Sequence, residues 1–208
     1  MKTIILSAAA PDVIEQAMKI LKSGGLVAFP TDTVYGVGAL AFDDHAVRSI
    51  YIAKDRPLEK AIPVLMADAE DMDIVGMNIP DIAYRLAARF FPGPLTCLIP
   101  KKPTLPESVS ATHTVGVRVP DHDIARTLLR AARPMAVTSA NLSGHPSPST
   151  AGEVFAQLNG RIPLIIDGGT TPGGVPSTLV DCTTDELTIL REGPISMEMI
   201  REKLSSPI

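Results

Sequence analysis

Cysteine is scarce: Cys97 and Cys182 are the only two in 208 residues, both in apolar runs of strand character and without C-x-x-C spacing. That argues against a disulfide framework or a cysteine zinc site and for buried, reduced thiols in a cytoplasmic protein. An excess of positive charge is missing as well. Nineteen Lys and Arg against 23 Asp and Glu leave a net charge of −4, which disfavours a general nucleic-acid coat and confines anion binding to local clusters. No apolar run approaches the length of a membrane span. The first ten residues offer Lys2, a short apolar run and three alanines, but the run is too short for an export signal, and Pro11 opens an amphipathic helix at once. There is no internal repeat, no Walker loop and no H-E-x-x-H pair. His45, His113, His122 and His145 are scattered without ligand spacing, so no bound metal is expected.

With 45% apolar residues, the chain is long enough to bury a sizeable core, and one domain spanning 1–208 is expected. Strand-like apolar runs fall at 3–6, 26–29, 61–66, 95–99, 115–119, 135–138 and 163–166, with a hairpin over 177–182 and 187–190. Helical spacing covers 11–23, the stretch capped by Asp43, 81–91, 123–132, 152–158 and 194–204, with a short acidic helical piece at 67–75. Helices and strands interleave for two thirds of the length, then strands cluster. This predicts an α/β fold, a twisted and mostly mixed sheet flanked by helices, with function gathered at strand ends.

The organising stretch is 24–60. A short buried strand delivers Thr31, Asp32 and Thr33 to its end, and a following helix, capped by Asp43, carries Lys54 in its last turn. Pro57 pushes Arg56 out of the α region, so Lys54 and Arg56, two apart in extended chain, are expected to point the same way. Two other turns are chemically dense: S-A-N-L-S-G at 139–144, where Ser139 and Asn141 would present a hydroxyl and an amide together, and the glycine-rich D-G-G-T-T-P-G-G-V-P-S-T at 167–178. The Pro-, Ser- and Thr-rich segment 101–113 is the best candidate for a mobile loop over a site. Gly36-Val37-Gly38-Ala39-Leu40-Ala41 matches G-x-G-x-x-A, but the helix-capping aspartates follow it, so a turn and a second short strand explain these glycines better than a dinucleotide site. Paired cations, hydroxyls at several strand ends and Arg118 inside an apolar alternation together suit a polyanion and a small polar ligand.

P-T-D-T-V-Y-G at 30–36, K-D-R-P at 54–57, V-R-V-P at 117–120, T-S-A-N-L-S-G at 138–144 and S-T-L-V-D at 177–181 resemble the YrdC-type L-threonylcarbamoyladenylate synthases over nearly the whole chain. The resemblance implies a YrdC-like fold around a large cavity. It also implies a nucleotidyltransferase reaction in which L-threonine, bicarbonate and ATP, with its Mg2+, give threonylcarbamoyl-AMP and pyrophosphate, without a tightly bound prosthetic group. The product would serve downstream proteins that modify the adenosine beside the tRNA anticodon. Thr33, Arg118, Ser139 and Ser177 would then bind L-threonine, and Arg56, Lys60, Thr114, Asn141, Ser149 and Arg191 the ATP. Lys54, Arg56, Ser139 and Asn141 would be the catalytic set, the two cations neutralising phosphate charge. P-L-E-K-A-I-P-V-L after Arg56 departs from many relatives, which carry Asn and Pro in place of Lys60 and Ala61, and this touches the roles of Lys60 and Leu65. Without the C-terminal domain of longer relatives, the short, single-domain form is expected. A third reading, carbamoyl-adenylate chemistry of the kind the same domain performs inside larger hydrogenase-maturation proteins, is not expected, since this sequence shows no acylphosphatase-like or zinc-finger segment. The alternative function is a double-stranded RNA or tRNA binding module without catalysis, against which the acidic net charge weighs.

Overall fold

The computed structural model describes residues 1–172, 174–184 and 186–205. Gly173 of the glycine-rich turn, Asp185 of the hairpin turn and residues 206–208 lie outside the described residues. In chain order the elements are β1 (Ile4–Ser7), α1 (Val13–Lys22), β2 (Val27–Phe29), β3 (Gly36–Leu40), α2 (Asp44–Lys54), β4 (Val64–Leu65) and a 3-10 turn (Ala69–Asp71) leading into α3 (Met72–Val75). Then come α4 (Asp81–Phe90), β5 (Leu95–Pro100), β6 (Thr114–Arg118), α5 (Asp123–Ala132), β7 (Met135–Ser139), α6 (Ala151–Leu158), β8 (Leu164–Asp167), β9 (Thr178–Asp181), β10 (Thr188–Arg191) and α7 (Met197–Ser205).

Among the described residues, ten strands join one mixed sheet in the order β1-β8-β2-β3-β7-β4-β6-β5-β9-β10. Four pairs are parallel (β1 with β8, β2 with β8, β4 with β6, β5 with β9) and the other five are antiparallel, three of them in succession from β2 to β4. The expected α/β sheet flanked by helices is therefore present. Elements lie within a few residues of the sequence reading, with one exception: the strand expected over 61–66 pairs only at Val64–Leu65. Pro63 supplies no N–H, and its carbonyl instead accepts from Val137 N at 2.9 Å.

Residue parity divides the sheet into two faces. Val37, Ala39, Val64, Val115, Val117, Leu95, Cys97, Ile99, Ala136, Ile165 and Val180 point to one, where α2, α4, α6 and α7 add Val47, Ile50, Leu86, Val154 and Ile200. Val27, Phe29, Leu65, Met135, Val137, Leu164 and Ile166 point to the other, against Val13, Ala17 and Leu21 of α1 and Ala125, Leu128 and Leu129 of α5. Asp43 caps α2 as expected, its Oδ1 accepting from Ala46 N at 3.0 Å. Both thiols are free and buried, and contact with Cys182 together with burial pushes the Cys97 thiol up.

The G-x-G of β3 has a steric reason. Gly38 pairs with Val137, and a Cβ there would lie 2.7 Å from Val137 Cγ2 and 2.8 Å from the Ala136 carbonyl oxygen. A backbone oxygen in a central strand cannot move aside, so Gly38→Ala is expected to cost about 1–3 kcal/mol. Urea unfolding would show this as a lower midpoint with unchanged slope, and an unchanged midpoint would sink the packing account.

Candidate functional site

On the second face, beyond the reach of α1 and α5, the sheet is left open. Leu65, Val137, Gly116, Arg118, Thr96, Leu98 and Leu179 continue the parity of that face and floor a cleft of about 340 Å³. Gly116 keeps the floor low, since a Cβ there would meet Thr96 Cγ2 at 3.1 Å. Strand ends and loops raise the walls, bringing Thr33, Arg56, Thr114, Ser139, Ser177 and Arg191 to the same cleft. Seven of the predicted site residues thus meet in one place.

Arg118 is the most constrained of them. It is only 5% exposed, and its guanidinium donates from Nε to the Gly93 carbonyl (3.0 Å), from Nη1 to Thr33 Oγ1 (3.1 Å) and from Nη2 to Asp32 Oδ1 (2.5 Å). Burial pushes it down, and the Asp32 charge opposes that shift. Of five N–H donors, one on each terminal nitrogen is left over for a ligand in the cleft. Thr33 is held in turn by Thr31, whose Oγ1 lies 3.0 Å from Thr33 Oγ1 and donates to the Val34 carbonyl at 2.7 Å.

A second hydroxyl pair sits beside it. Ser177 Oγ lies 2.7 Å from Thr96 Oγ1, and Arg191 donates to the Ser177 carbonyl from Nε (3.0 Å) and Nη2 (2.8 Å) and to Ser177 Oγ (3.1 Å). Arg191 is pushed down by burial and by the charge of Arg56, and Arg118 feels Arg191 likewise. Three like charges held within mutual range around a half-dry cleft favour an anionic ligand.

Lys54 and Arg56 part company. Asp55 takes a left-handed conformation (φ 50°) that ends α2, so the chain between them is not extended. Lys54, 1% exposed, turns inward and donates from Nζ to the carbonyls of Ser139 and Asn141, the latter at 2.6 Å. It does not line the cleft. Burial and the Arg56 charge lower it to about 7. Arg56 does line the cleft, donating to the carbonyls of Lys60 (3.2 Å) and Ala61 (2.9 Å). The expected pair of cations side by side is replaced by one cation in the cleft and one beneath the S-A-N turn.

Asn141 also differs from expectation. The chain bends after Ser139, and the Asn141 amide Nδ2 donates to the carbonyls of Leu142 and His145, both at 2.8 Å. No amide N–H is left to present beside the Ser139 hydroxyl, and Asn141 Oδ1 is buried without a partner. Lys60 is exposed and lies outside the cleft lining. Ser149 lines an adjoining groove that shares Ser147 with the cleft, and its N and Oγ donate to Glu153 Oε2 (2.7 and 3.1 Å).

The 101–113 segment is a wall rather than a flap. Leu105 and Val109 are buried in the core. Tyr51 OH donates to the Ser108 carbonyl (2.7 Å), and Lys101 Nζ to that of Ser110 (2.6 Å). Ser110, Thr112 and Thr114 form a hydroxyl ladder along the cleft, with Oγ–Oγ1 and Oγ1–Oγ1 distances of 3.0 and 3.1 Å. Sequence reasoning had singled out only Thr114. The S-x-T-x-T alternation was the available signal, as was Thr96, a hydroxyl at the cleft-facing parity of an apolar strand.

Comparison with known proteins places this geometry. A model of the Sua5/YciO/YrdC domain, described as "Telomere recombination", matches residues 19–193. The chain belongs to the Sua5/YciO/YrdC family. It is 43% identical over 191 residues to the threonylcarbamoyl-AMP synthase of Pyrococcus abyssi (strain GE5 / Orsay), covering 91% of this chain and 56% of that one. The solved structure of P. abyssi Sua5 complexed with L-threonine superposes with a TM-score of 0.92 at 40% identity, over 98% of this chain and 61% of that one. E. coli YciO superposes with a TM-score of 0.85 at 28% identity, over 96% of this chain and the whole of YciO. The chain thus spans little more than half the length of the archaeal Sua5 relative. Among the described residues, no helix is long and apolar enough to cross a membrane.

Proposed function

We propose that this chain is an L-threonylcarbamoyladenylate synthase: it condenses L-threonine with bicarbonate, with loss of water, and the resulting carbamate oxygen attacks the α-phosphorus of ATP to release pyrophosphate. The observation that carries the reading is the Arg118 guanidinium, fixed by three acceptors with a donor left on each terminal nitrogen, among the hydroxyls of Thr33, Ser139 and Ser177. That arrangement suits a hydroxylated amino acid with its carboxylate on Arg118. The likeness to a Sua5 complexed with L-threonine supports it.

The nucleotide would take Arg56, Arg191, Thr114 and Ser149, the first two meeting phosphate charge. Mg2+ would arrive with the triphosphate and offset part of its charge, beside the cations Arg56 and Arg191. Lys60 drops out of the nucleotide set. Lys54 and Asn141 act from behind, holding the turn that carries Ser139. Catalysis is then positioning and electrostatics, with no covalent enzyme intermediate. The setting is the cytoplasm, and the labile product passes to proteins that transfer the threonylcarbamoyl group to tRNA.

Mass spectrometry of the nucleotide products tests this. Pure protein with Mg-ATP, L-threonine, bicarbonate and pyrophosphatase, sampled at short times, is expected to give threonylcarbamoyl-AMP only when all three substrates are present. If no adduct forms with labelled threonine and fresh bicarbonate, while duplex RNA is retained in a salt-sensitive manner, the RNA-binding reading replaces it.

A further inference from the structure

We infer that Tyr35 is a positioning residue that locks the nucleotide side of the site through two loops it does not itself belong to. Tyr35 is fully buried between the T-D-T turn and β3. Its main chain holds the loop joining β7 to α6 at both ends: Tyr35 N donates to the Pro148 carbonyl (2.9 Å), and Ala140 N donates to the Tyr35 carbonyl (2.8 Å). Its hydroxyl holds the glycine-rich loop leaving β8, donating to the Gly169 carbonyl (2.7 Å) and accepting from Gly168 N (3.2 Å).

That second loop closes back on the first. Thr171 donates to the Ser149 carbonyl from its N (2.9 Å) and Oγ1 (3.3 Å). Tyr35, Pro148, Ser149, Thr171 and Gly169 therefore form a closed ring of contacts. Between the two loops lies a groove of about 520 Å³ lined by Ser149, Glu153 and Thr171, which meets the cleft at Ser147. Residues 167–170 are all exposed, and two are glycines, so no apolar anchor of their own fixes them. A phenol from the core does so instead. The hydroxyl bonds the backbone of Gly168 and Gly169 and meets the Asp167 carboxylate, all in that loop, so its loss frees the loop toward water rather than opening the core.

The inference rests on the reading that the nucleotide lies beside Ser149. Tyr35→Phe keeps the ring and its packing. It is expected to weaken ATP binding by about five- to tenfold, the worth of one or two modest hydrogen bonds, with the KM for ATP rising in parallel and L-threonine binding, measured alone by calorimetry, within about twofold of wild type. Thr171→Val, which removes only the Oγ1 contact to Ser149, should shift ATP binding in the same direction by less. Melting by circular dichroism confirms that both variants fold. Equal losses for ATP and threonine, or unchanged ATP binding in both folded variants while wild type binds ATP, would overturn the role of Tyr35. A wild-type chain that binds no ATP would overturn the nucleotide reading and this inference together.

Discussion

Arg118→Lys is expected to raise the KM for L-threonine by about a hundredfold or more, while the protein stays folded. The native guanidinium spends three N–H groups on Gly93, Thr33 and Asp32, in three directions of one rigid plane. An ammonium keeps the charge but cannot span those directions and still offer a carboxylate two donors from separate nitrogens. Losing a charge-assisted, two-point contact in a desolvated pocket is worth about 2–4 kcal/mol, and each 1.4 kcal/mol is tenfold.

Arg118→Ala separates binding from folding. The Arg118 and Asp32 side chains are 7% and 12% exposed, and Asp32 Oδ2 already has no partner. Removing the cation strands a buried carboxylate, which costs about 3–5 kcal/mol, so this variant should unfold at markedly lower urea. Steady-state kinetics with threonine varied at saturating ATP and bicarbonate decide the matter for the lysine variant. A KM within threefold of wild type would move the carboxylate to another group.

The fold was legible where local chemistry sets it. Asp43 announces its cap, Pro92-Gly93-Pro94 follows the end of α4, and the alternation V-G-V-R-V fixes the parity that sends Arg118 to the cleft and Val117 to the core. Ser139 and Ser177 were legible for the same reason, standing at or next to strand ends, and Thr33 because it lies in the short turn between β2 and β3. What stayed hidden depends on partners far along the chain. The carbonyls that capture Lys54 belong to residues 85 and 87 positions away. No pattern within α2 distinguishes such a lysine from a solvated one. The Asn141 amide is lost to two nearby carbonyls because the chain bends where an extended reading was assumed. In the 101–113 segment, prolines and hydroxyls mask Leu105 and Val109, whose burial in the core makes the expected loop a wall. Strand order, with β8 set between β1 and β2, is likewise a matter of crossovers that periodicity does not encode.

Lys54→Met is expected to lower kcat/KM by about a hundredfold without contact with either substrate, because the S-A-N turn loses the group that draws two of its carbonyls together and a shift near 1 Å at Ser139 suffices for that loss. Protonation gives this residue a second, distinctive signature. Its folded-state value is depressed to about 7 from 10.5 by burial and by Arg56, so between pH 7 and 10.5 the unfolded chain holds a proton that the folded chain has released. Stability contributed by this group therefore rises with pH across that window and is flat below it. Lys54→Met should abolish that rise, as urea midpoints at pH 7 and 9 would reveal. A triphosphate paired with Arg56 would cancel part of the repulsion and lift Lys54, so nucleotide binding should take up a fraction of a proton at pH 8 and almost none at pH 5.5, where the lysine is already charged. Calorimetry in buffers of different ionisation enthalpy measures this uptake. Its presence in wild type and absence in Lys54→Met would tie the buried amine to the phosphate site, whereas proton release, or equal uptake in both, would detach it.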